Sequence, residues 1–456
     1  MNKADLYYQK MTKTNVTKLV VALGIPTTIS MLITNIYNLV DTYFVGTLGE
    51  SPQAAVGVLF TLQCIIQAIA YMLGHGSGTY VSKYLADKDI NKASIYVSTA
   101  FYAGAIFGIC FSVFGLIFLD PFCRFLGSTE TILPHAKDYG FWVFLACPFI
   151  TCSLILNNNL RYEGKAMYAM IGLVTGGIIN IFGDFLFIKQ LNMGVAGAGL
   201  ATALSQVISF TILLIMYYKT AQSKIRIKYV TKNIRVYLGI CQLGLPSLIR
   251  QGLNSISNGL LNNLAKPFGD AAIAAISVIN RFSSFVMCIA LGTGQGFQPV
   301  SAFNYEAKEY TRVKKALIVS IILGISVITL LSILGIMIPD IIIWIFQKSP
   351  EVIEIGTYGL RATSIGLLFL PFSVNANTLY QSIRKSMSAS FLAMLRSGLA
   401  FIPTLIILSN VIGLKGILIS QMIADIISGL ISIPFLIHFI FKTPNTKVSE
   451  VLDYVN

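Results

Sequence analysis

Charged residues are scarce in this chain. They make up 11% of its 456 residues, whereas hydrophobic residues make up 55%. An ordinary soluble domain carries roughly 25% charged residues, so this composition excludes a water-soluble globular protein. Apolar stretches recur that are long enough to cross a bilayer as helices, which takes about 20 residues each. We predict an all-α integral membrane protein with twelve transmembrane helices, near residues 17–44, 54–80, 93–119, 138–160, 167–189, 193–219, 236–264, 271–300, 315–346, 355–382, 387–410 and 413–441.

The motifs of several enzyme classes are also missing. The chain has seven Cys and three His, without a CxxC pair or the spacing of zinc ligands. It lacks a Walker A sequence, a GxSxG elbow and an HExxH pair. We therefore expect a protein that is not an enzyme and has no cofactor, with the Cys serving as small apolar packing residues.

The positive charge is concentrated on one side of the predicted spans. The formal net charge is +14. With the N-terminus taken as cytoplasmic, the tails and loops on that side hold 23 Lys and Arg, and the loops on the opposite side hold 6. Such a bias is the positive-inside signature of a multi-pass membrane protein. We therefore expect both termini in the cytoplasm, a plasma-membrane location, contact with the lipid bilayer and no nucleic-acid partner.

The chain repeats itself at a nearly constant offset. Residues 23–26 (LGIP) return as 243–246 (LGLP), an offset of 220, and residues 193–197 resemble 412–416, an offset of 219. These matches predict an N-terminal lobe at 1–218, a cytoplasmic linker at 219–235 and a C-terminal lobe at 236–456. Six helices per lobe make the two repeats parallel, an arrangement in which transporters rock one half against the other around a central site.

Pro26 and Pro246 occupy equivalent places in the first helix of each half. Proline removes a backbone hydrogen bond and kinks a helix. Two interpretations remain open for these residues, a static kink and a hinge.

Two carboxylates lie inside the predicted spans of the first half. Asp41 shares a helix face with Tyr37 and Asn38, because the spacings are i,i+4 and i,i+3, and Asp184 follows Asn180 by four residues. A carboxylate within a membrane is costly and indicates an ion or substrate path. Two such groups can bind a hard cation such as Na⁺ through oxygen ligands, or can carry a proton. The sequence leaves both coupling ions open.

The second half carries more in-membrane positive charge. Its spans contain Asp425 and four arginines, namely Arg250, Arg281, Arg361 and Arg396. We predict that Asp425 forms a structural charge pair with Arg281 or Arg250, and that Arg361 and Arg396 extend their side chains toward the membrane surface. Arg250 is followed at helical spacing by Asn254 and Asn258, which predicts a polar face on the seventh helix.

Several segments resemble motifs of the MATE (multidrug and toxic compound extrusion) transporters. They are residues 24–26 (GIP) with 37–42 (YNLVDT), 161–164 (RYEG), 192–198 (NMGVAGA), 296–305 (GFQPVSAFNY) and 423–426 (IADI). Residues 245–251 (LPSLIRQ) are most similar to the MepA-type branch, near the DinF-like branch. The resemblance covers nearly the whole chain.

The resemblance implies two six-helix bundles around a V-shaped cavity. It also implies export of amphipathic, often cationic, compounds in exchange for Na⁺ or H⁺. The cation site of the DinF-like branch falls on Asp41, Asn157, Asn180, Asp184 and Thr202, and cavity positions fall on Tyr37 and Tyr139. In another branch a Glu of the seventh helix stands where this chain has Asn254, which argues against a cation site in the second lobe.

These observations favour secondary active multidrug efflux. We expect the partners to be small organic cations or amphipathic drugs, and the protein to be a monomer. The alternative is a lipid-linked oligosaccharide flippase of the same superfamily, in which Arg250 and Arg281 contribute to a cationic cavity. An intramembrane enzyme would need a nucleophile, base or metal constellation, and we find none in this sequence. A channel does not require a repeated architecture.

Overall fold

Seventeen α-helices make up most of the part of the chain that the structure describes. The computed structural model describes residues 3–445, and within them there are no strands. The helices are α1 Lys3–Lys13, α2 Val16–Gly46, α3 Glu50–Ala86, α4 Ile90–Ile117, α5 Leu119–Phe125, α6 Leu133–Tyr162, α7 Ala166–Asp184, α8 Gly194–Thr220, α9 Ile234–Ala265, α10 Asp270–Glu306, α11 Tyr310–Met337, α12 Pro339–Phe346, α13 Pro350–Leu367, α14 Leu370–Ser382, α15 Ser386–Met394, α16 Phe401–Ile412 and α17 Leu414–Lys442. Short π-helical segments, Phe185–Gln190 and Leu395–Leu399, extend α7 and join α15 to α16.

The all-α membrane fold predicted from composition is confirmed. Ten of these helical segments are long and apolar enough to cross a membrane. Helix α9 and the pair α13–α14 supply the remaining two predicted spans. Helix α9 has 32 residues, but polar residues such as Arg250, Asn254 and Asn258 dilute its apolar character. Apolar side chains such as Ile117, Leu330 and Val411 are exposed on the outside of the bundle, where a lipid-facing surface requires them.

Two predicted spans are interrupted. The ninth, predicted at 315–346, stops at Ile338, and a separate short helix, α12, follows. The tenth is broken between Leu367 and Leu370, and Pro371 lies in the first turn of the new helix. Proline has no backbone N–H, so Pro371 cannot donate the helical hydrogen bond to the carbonyl of Leu367 four residues earlier. By contrast, Pro26 and Pro246 lie inside continuous helices, α2 and α9.

Helix N-termini on the face that carries the chain ends are capped by side chains. We call this face, at which α2 begins at Val16 and α17 ends at Lys442, the terminal face. Asn15 accepts a hydrogen bond from the backbone N–H of Thr17 at 2.9 Å, and Asn233 accepts one from Arg235 at 3.0 Å. Each bond satisfies a backbone donor that has no partner within its helix. The caps thus fix the start of the first helix of each repeat.

The repeat offset recurs in the backbone conformation and in hydrogen bonding. Left-handed residues occur in pairs 220 positions apart, namely Gly49 and Gly269, Lys88 and Lys308, and Gly164 and Arg384. At the same offset, Asn157 donates to the carbonyl of Ala169 at 3.1 Å, and Asn377 donates to that of Ala389 at 2.7 Å. The two halves therefore share loop geometry and helix-to-helix bonds, beyond the sequence matches.

Close contact between the lobes involves glycines near the terminal face. Helix α2 packs on α10, and α3 packs on α9. A side-chain carbon at Gly244 of α9 would overlap the backbone of Met72, and one at Gly76 of α3 would overlap the carbonyl of Ile240. Only glycine allows backbones to approach so closely. Pro246 comes two residues after Gly244, and Pro26 two residues after Gly24, which contacts Gly296 across the other helix pair.

An ion pair between Lys83 and Glu306 joins the lobes at the same face. Glu306, at the end of α10, lies 3.4 Å from the ammonium of Lys83 on α3 and 2.6 Å from the guanidinium of Arg384. Helix α1 also contacts the C-terminal lobe, since the ring of Tyr7 packs edge-on against Phe303 at 5.3 Å. The terminal face is thus the closed side of the molecule.

The predicted linker is bound to the N-terminal lobe. The buried carboxylate of Glu163 accepts hydrogen bonds from the backbone N–H groups of Gln222, at 2.5 Å, and Ser223, at 3.2 Å. Burial raises the pKa of this carboxyl, and the hydrogen bonds act in the opposite direction. Further along, the N–H of Lys224 donates to Ser94 at 2.9 Å, and that of Thr231 donates to Thr99 at 3.4 Å. The linker therefore lies along α4 as an ordered strap.

Candidate functional site

A cavity of about 400 Å³ lies between the two lobes. We call it the central cavity. Its deep end near the terminal face holds buried residues such as Thr27 and Arg161, whereas Asn254 and Asn258, further from that face, are exposed. Since the lobes touch at the terminal face, the cavity opens toward the opposite face.

Most residues that line the central cavity are polar but uncharged, with arginines as the exception, although apolar atoms form the larger part of its surface. It includes Asn and Gln side chains from both lobes and the aromatic rings of Phe60, Tyr37 and Tyr71. Of residues 3–445, three arginines line it, Arg161, Arg250 and Arg396, and no Asp or Glu does. Its shape and mixed character fit an organic ligand that is partly apolar.

A second, much smaller pocket of about 20 Å³ lies within the N-terminal lobe. We call it the Asp41 pocket. It is lined by Tyr37, Asn38, Asp41, Gln63, Gln67, Tyr139, Ile150, Thr202 and Gln206. A single water needs roughly 10–15 Å³ on this measure, so the pocket has room for one water or one small cation. Five of its lining residues also line the central cavity, and the two spaces are therefore neighbours.

Hydrogen bonds link the polar groups around the Asp41 pocket. The Tyr139 hydroxyl donates to Asp41 Oδ2 at 3.3 Å and accepts from the Gln63 amide at 3.2 Å. The Asn180 amide donates to the Thr202 hydroxyl at 3.3 Å. Asp41 and Asp184 are close enough for their charges to act on each other. Helices α2, α3, α6, α7 and α8 thus bring their polar side chains to one region.

Four buried acceptor oxygens in this region have no hydrogen-bond donor among the described residues. They are Oδ1 of Asp41, Oδ1 of Asn180 and both carboxylate oxygens of Asp184. Asp41 is 7% exposed and Asp184 is fully buried. Buried acceptors are nearly always satisfied in folded proteins, and carboxylate and amide oxygens are the ligands that hard cations prefer. These four oxygens could therefore be the ligands of a small cation. A proton on one carboxylate would compensate them equally well.

One predicted member of the cation site lies elsewhere. Asn180 and Asp184 do not line the Asp41 pocket itself, but Asn180 donates to Thr202 of that pocket and Asp184 lies close to Asp41. Asn157 lines the central cavity instead. Its amide holds the Ala169 carbonyl, the bond that Asn377 repeats in the other lobe. This recurrence indicates a role in packing α6 against α7.

The residues predicted to line a substrate cavity divide between the two spaces. Tyr37 and Asn38 line both. Arg250, Asn254 and Asn258 line the central cavity, and Tyr139 lines only the Asp41 pocket. Arg250 donates to Oδ1 of Asn377 at 2.9 Å.

The predicted partner of Asp425 was wrong. The carboxylate pairs with Arg396 at 2.7 Å and accepts from Gln421 at 2.9 Å. Arg281 is exposed on α10 and does not line the cavity. Arg396 does not reach for the membrane surface, because the π-helical segment that contains it lies against α17, which carries Asp425.

Sequence reasoning placed Arg161 in a loop, but the structure places it inside the protein. The residue lies in the last turn of α6, is 3% exposed, and donates to Gln295 of the other lobe. Gln63 and Gln67 were also missed. Their i,i+4 spacing inside an apolar span is the signal that identifies them.

Residues 3–445 contain no cluster of the side chains that usually bind transition metals. No group of three or more His, Cys, Asp or Glu side chains is arranged there to hold a metal ion.

Comparisons with known proteins agree with this architecture. The sequence matches the MatE family over residues 26–186 and 246–407. The Multidrug export protein MepA of Staphylococcus aureus (strain MSSA476) is 26% identical over 456 residues, which is 99% of this chain and 100% of that protein. A crystal structure of MATE in complex with MaL6 matches with a TM-score of 0.90 at 23% identity, covering 98% of this chain and 100% of that chain. An outward-facing multidrug resistance MATE family transporter of the MOP superfamily gives 0.88 at 23% identity, over 96% and 98%.

The two matched segments begin at Pro26 and Pro246, 220 residues apart, and together cover more than half of the chain. The sequence match, the two-lobed helical fold and the polar cavity between the lobes lead to one conclusion: this chain belongs to the MATE family of multidrug efflux transporters.

Proposed function

We propose that this protein exports amphipathic drug-like compounds in exchange for Na⁺ or H⁺, and that the Asp41 and Asp184 region binds the coupling cation. The observation that carries the proposal is the set of four unpartnered acceptor oxygens on Asp41, Asn180 and Asp184 beside the central cavity. A cation or proton would compensate them. A compound of drug size fits the central cavity, which is about 20 times larger than the Asp41 pocket.

The proposed transport cycle is alternating access. In the present arrangement the terminal face is closed and the cavity opens toward the opposite face. The positive-inside bias makes the terminal face cytoplasmic, so this is the outward-open state, with the protein in the plasma membrane. Rocking the lobes would separate the glycine contacts of Gly76 and Gly244 and the ion pair between Lys83 and Glu306.

Coupling requires that each ligand bind the two states unequally. The Asp41 carboxylate accepts from Tyr139 on α6, and Tyr37 and Gln206 line both spaces. Cation binding or protonation at Asp41 changes the charge next to the cavity and the hydrogen bond to Tyr139. A cationic compound would be attracted to the same carboxylate, so competition between the compound and the ion accounts for exchange.

The proposal is tested in proteoliposomes with Na⁺ and pH gradients imposed separately. We expect one gradient to drive export of a cationic dye. We expect Asp41→Asn and Asp184→Asn to reduce gradient-driven export to that of protein-free liposomes, with normal expression. Asp270→Asn, which alters an exposed carboxylate at the start of α10, is the matched control and should keep wild-type export. Full export by Asp41→Asn would refute the coupling role.

One observation favours a second candidate, a lipid-linked oligosaccharide flippase. Among residues 3–445, the central cavity is lined by arginines and by no acid, which suits a pyrophosphate group. The unpartnered carboxylates of the N-terminal lobe have no role in that reaction. Gradient-independent movement of a prenyl pyrophosphate lipid across liposomes, without dye export, would support the flippase.

A further inference from the structure

Two arginines at the deep end of the central cavity lack an acidic partner. Arg161 of the N-terminal lobe donates to Gln295 and, at 2.5 Å, to Asn158, and its Nε is buried with no acceptor among residues 3–445. Arg250 of the C-terminal lobe donates through Nη1 to Asn377. A guanidinium has five N–H donors, so these neutral partners leave both residues with capacity for an anionic ligand.

In the part of the chain that the structure describes, no carboxylate lines the cavity beside the two guanidinium groups. The ionisable side chains close to both arginines are Tyr71, Tyr162 and His75. The third arginine of the cavity differs, since Arg396 is neutralised by Asp425. An uncompensated arginine at membrane depth is costly and marks a functional site by default.

The position of the pair is as informative as its charge. Ile150 lines both the central cavity and the Asp41 pocket, and Arg161 comes eleven residues later on α6. At about 1.5 Å per residue this is a rise of about 16 Å toward the terminal face. An anionic group held between Arg161 and Arg250 is therefore well separated from Asp41. It would contact both lobes, because Arg161 and Arg250 belong to different ones.

Resting on the proposed function, we propose that Arg161 and Arg250 form an anion-binding subsite, and that the exported compounds include amphiphiles with a carboxylate, sulfonate or phosphate group. The apolar part of such a compound would lie against the cavity wall near Tyr71, which also lines the central cavity. Arginine binds planar anions through paired hydrogen bonds. The central cavity would thus select for negative charge at its deep end, although the proposed ion site beside it is acidic.

The test is a binding measurement with two dyes that differ by one charge. Rhodamine B and its ethyl ester share the same cationic ring system, and only the former has a free carboxylate. Fluorescence anisotropy of each dye is measured with the purified protein in lipid nanodiscs, and empty nanodiscs correct for partitioning into lipid. We expect the wild-type protein to bind rhodamine B about tenfold more tightly than the ester or better, as charge-assisted hydrogen bonds imply. Equal affinity for the two dyes would overturn the proposal without any variant.

Variants assign the preference to residues. Arg250→Gln and Arg161→Gln should each reduce the preference to about onefold to threefold, and Arg250→Lys should keep part of it because the charge remains. Arg281→Gln is the matched control, an exposed arginine on a neighbouring helix outside the cavity lining, and it should keep the full preference. Loss of the preference in Arg281→Gln to the same extent would contradict the subsite.

Competition identifies the source of the anion. Displacement of rhodamine B by benzoate at lower concentration than by farnesyl pyrophosphate supports drug-like carboxylates, and the reverse order supports a lipid pyrophosphate at the same subsite. Gradient-driven export is measured separately. A dye preference without export would refute only the exporter assignment, and export without a preference would refute only the anion subsite.

Discussion

In the N-terminal lobe, Asp41 and Asp184 have three carboxylate oxygens without a donor among residues 3–445, whereas in the C-terminal lobe both oxygens of Asp425 are satisfied by Arg396, and one also by Gln421. Both lobes are built on the same six-helix plan. The difference shows that a duplicated scaffold can keep one carboxylate site available for a ligand and neutralise the other. This asymmetry supports our proposal of a single ion site per molecule, in the N-terminal lobe.

The repeat relates these acids to residues of a different kind. At the offset of 220, Asp41 corresponds to Leu261, and at the offset of 219 that relates α8 to α17, Asp425 corresponds to Gln206. By contrast, the packing bonds of Asn157 and Asn377 are the same in both lobes. The repeat therefore preserves helix packing and loop geometry, and the charged groups have diverged on top of it.

Exchanging a carboxylate for an amide in each lobe is the strongest test of this difference between the lobes. Asp425→Asn leaves the Arg396 guanidinium, whose side chain is 15% exposed, without its counterion, which should lower the free energy of unfolding by about 1.5–3 kcal/mol. Asp41→Asn removes an uncompensated charge, so stability should stay constant or rise while ion-driven export is lost. Thermal unfolding in detergent measures the first effect, and export in proteoliposomes measures the second.

A double variant is the control for this prediction. Asp425→Asn combined with Arg396→Gln removes both charges, and most of the lost stability should return. Equal destabilisation by the amide at position 41 and at position 425 would contradict the proposed difference between the lobes.

The contact between the lobes can be tested in a single helix. Gly244→Ala places a carbon on the Met72 backbone, which cannot move aside as a flexible side chain would, and should destabilise the present arrangement by about 1–3 kcal/mol. Gly252, two turns further along α9, has open space around its Cα. Gly252→Ala should therefore be neutral or stabilising, because alanine is the better helix former. Thermal unfolding of the two variants compares them, and equal stability would show that the close approach is not required.

The strap on the N-terminal lobe gives the next effect. Glu163→Ala removes the acceptor of the Gln222 and Ser223 backbone donors, a loss of about 1–3 kcal/mol. Trypsin should then cut after Lys224 or Arg226 about tenfold faster, because local opening controls cleavage. Glu354→Ala, at an exposed position on α13, should leave the cleavage rate at the wild-type value. If cutting is equally fast in both variants, Glu163 does not hold the strap.

The smallest predicted effect decides the role of Asn157. Asn157→Ala and Asn377→Ala each remove an amide-to-carbonyl bond between helices, which should cost about 0.5–1.5 kcal/mol of stability. Asn377→Ala should cost more than Asn157→Ala, because it also removes the acceptor of Arg250. If Asn157 serves only in packing, the two variants should show the same ion dependence of export. A change in ion affinity in Asn157→Ala alone would show that Asn157 takes part in cation binding, as the sequence predicted.

Helical spacing was sufficient to predict much of the N-terminal site. Asp41 with Tyr37, and Asp184 with Asn180, share faces at i,i+4, and the structure gathers them with Thr202. The partner of Asp425 could not be predicted in this way, because four arginines on different helices were candidates and only packing chooses among them. Arg161 was missed for a related reason, since a residue at the end of an apolar stretch reads as a loop residue although its helix continues.

The bonding of the strap limits how far the halves of the molecule can travel. Thr231 is the last strap residue bound to α4, and α9 begins at Ile234. The three Cα-to-Cα steps from Thr231 to Ile234 span at most about 11 Å when the chain is fully extended. Here a short segment connects α9 of the C-terminal lobe to α4 of the N-terminal lobe. A large sliding movement of one lobe along the other would first have to break the hydrogen bonds between the strap and α4. Pivoting is the movement that this short segment permits.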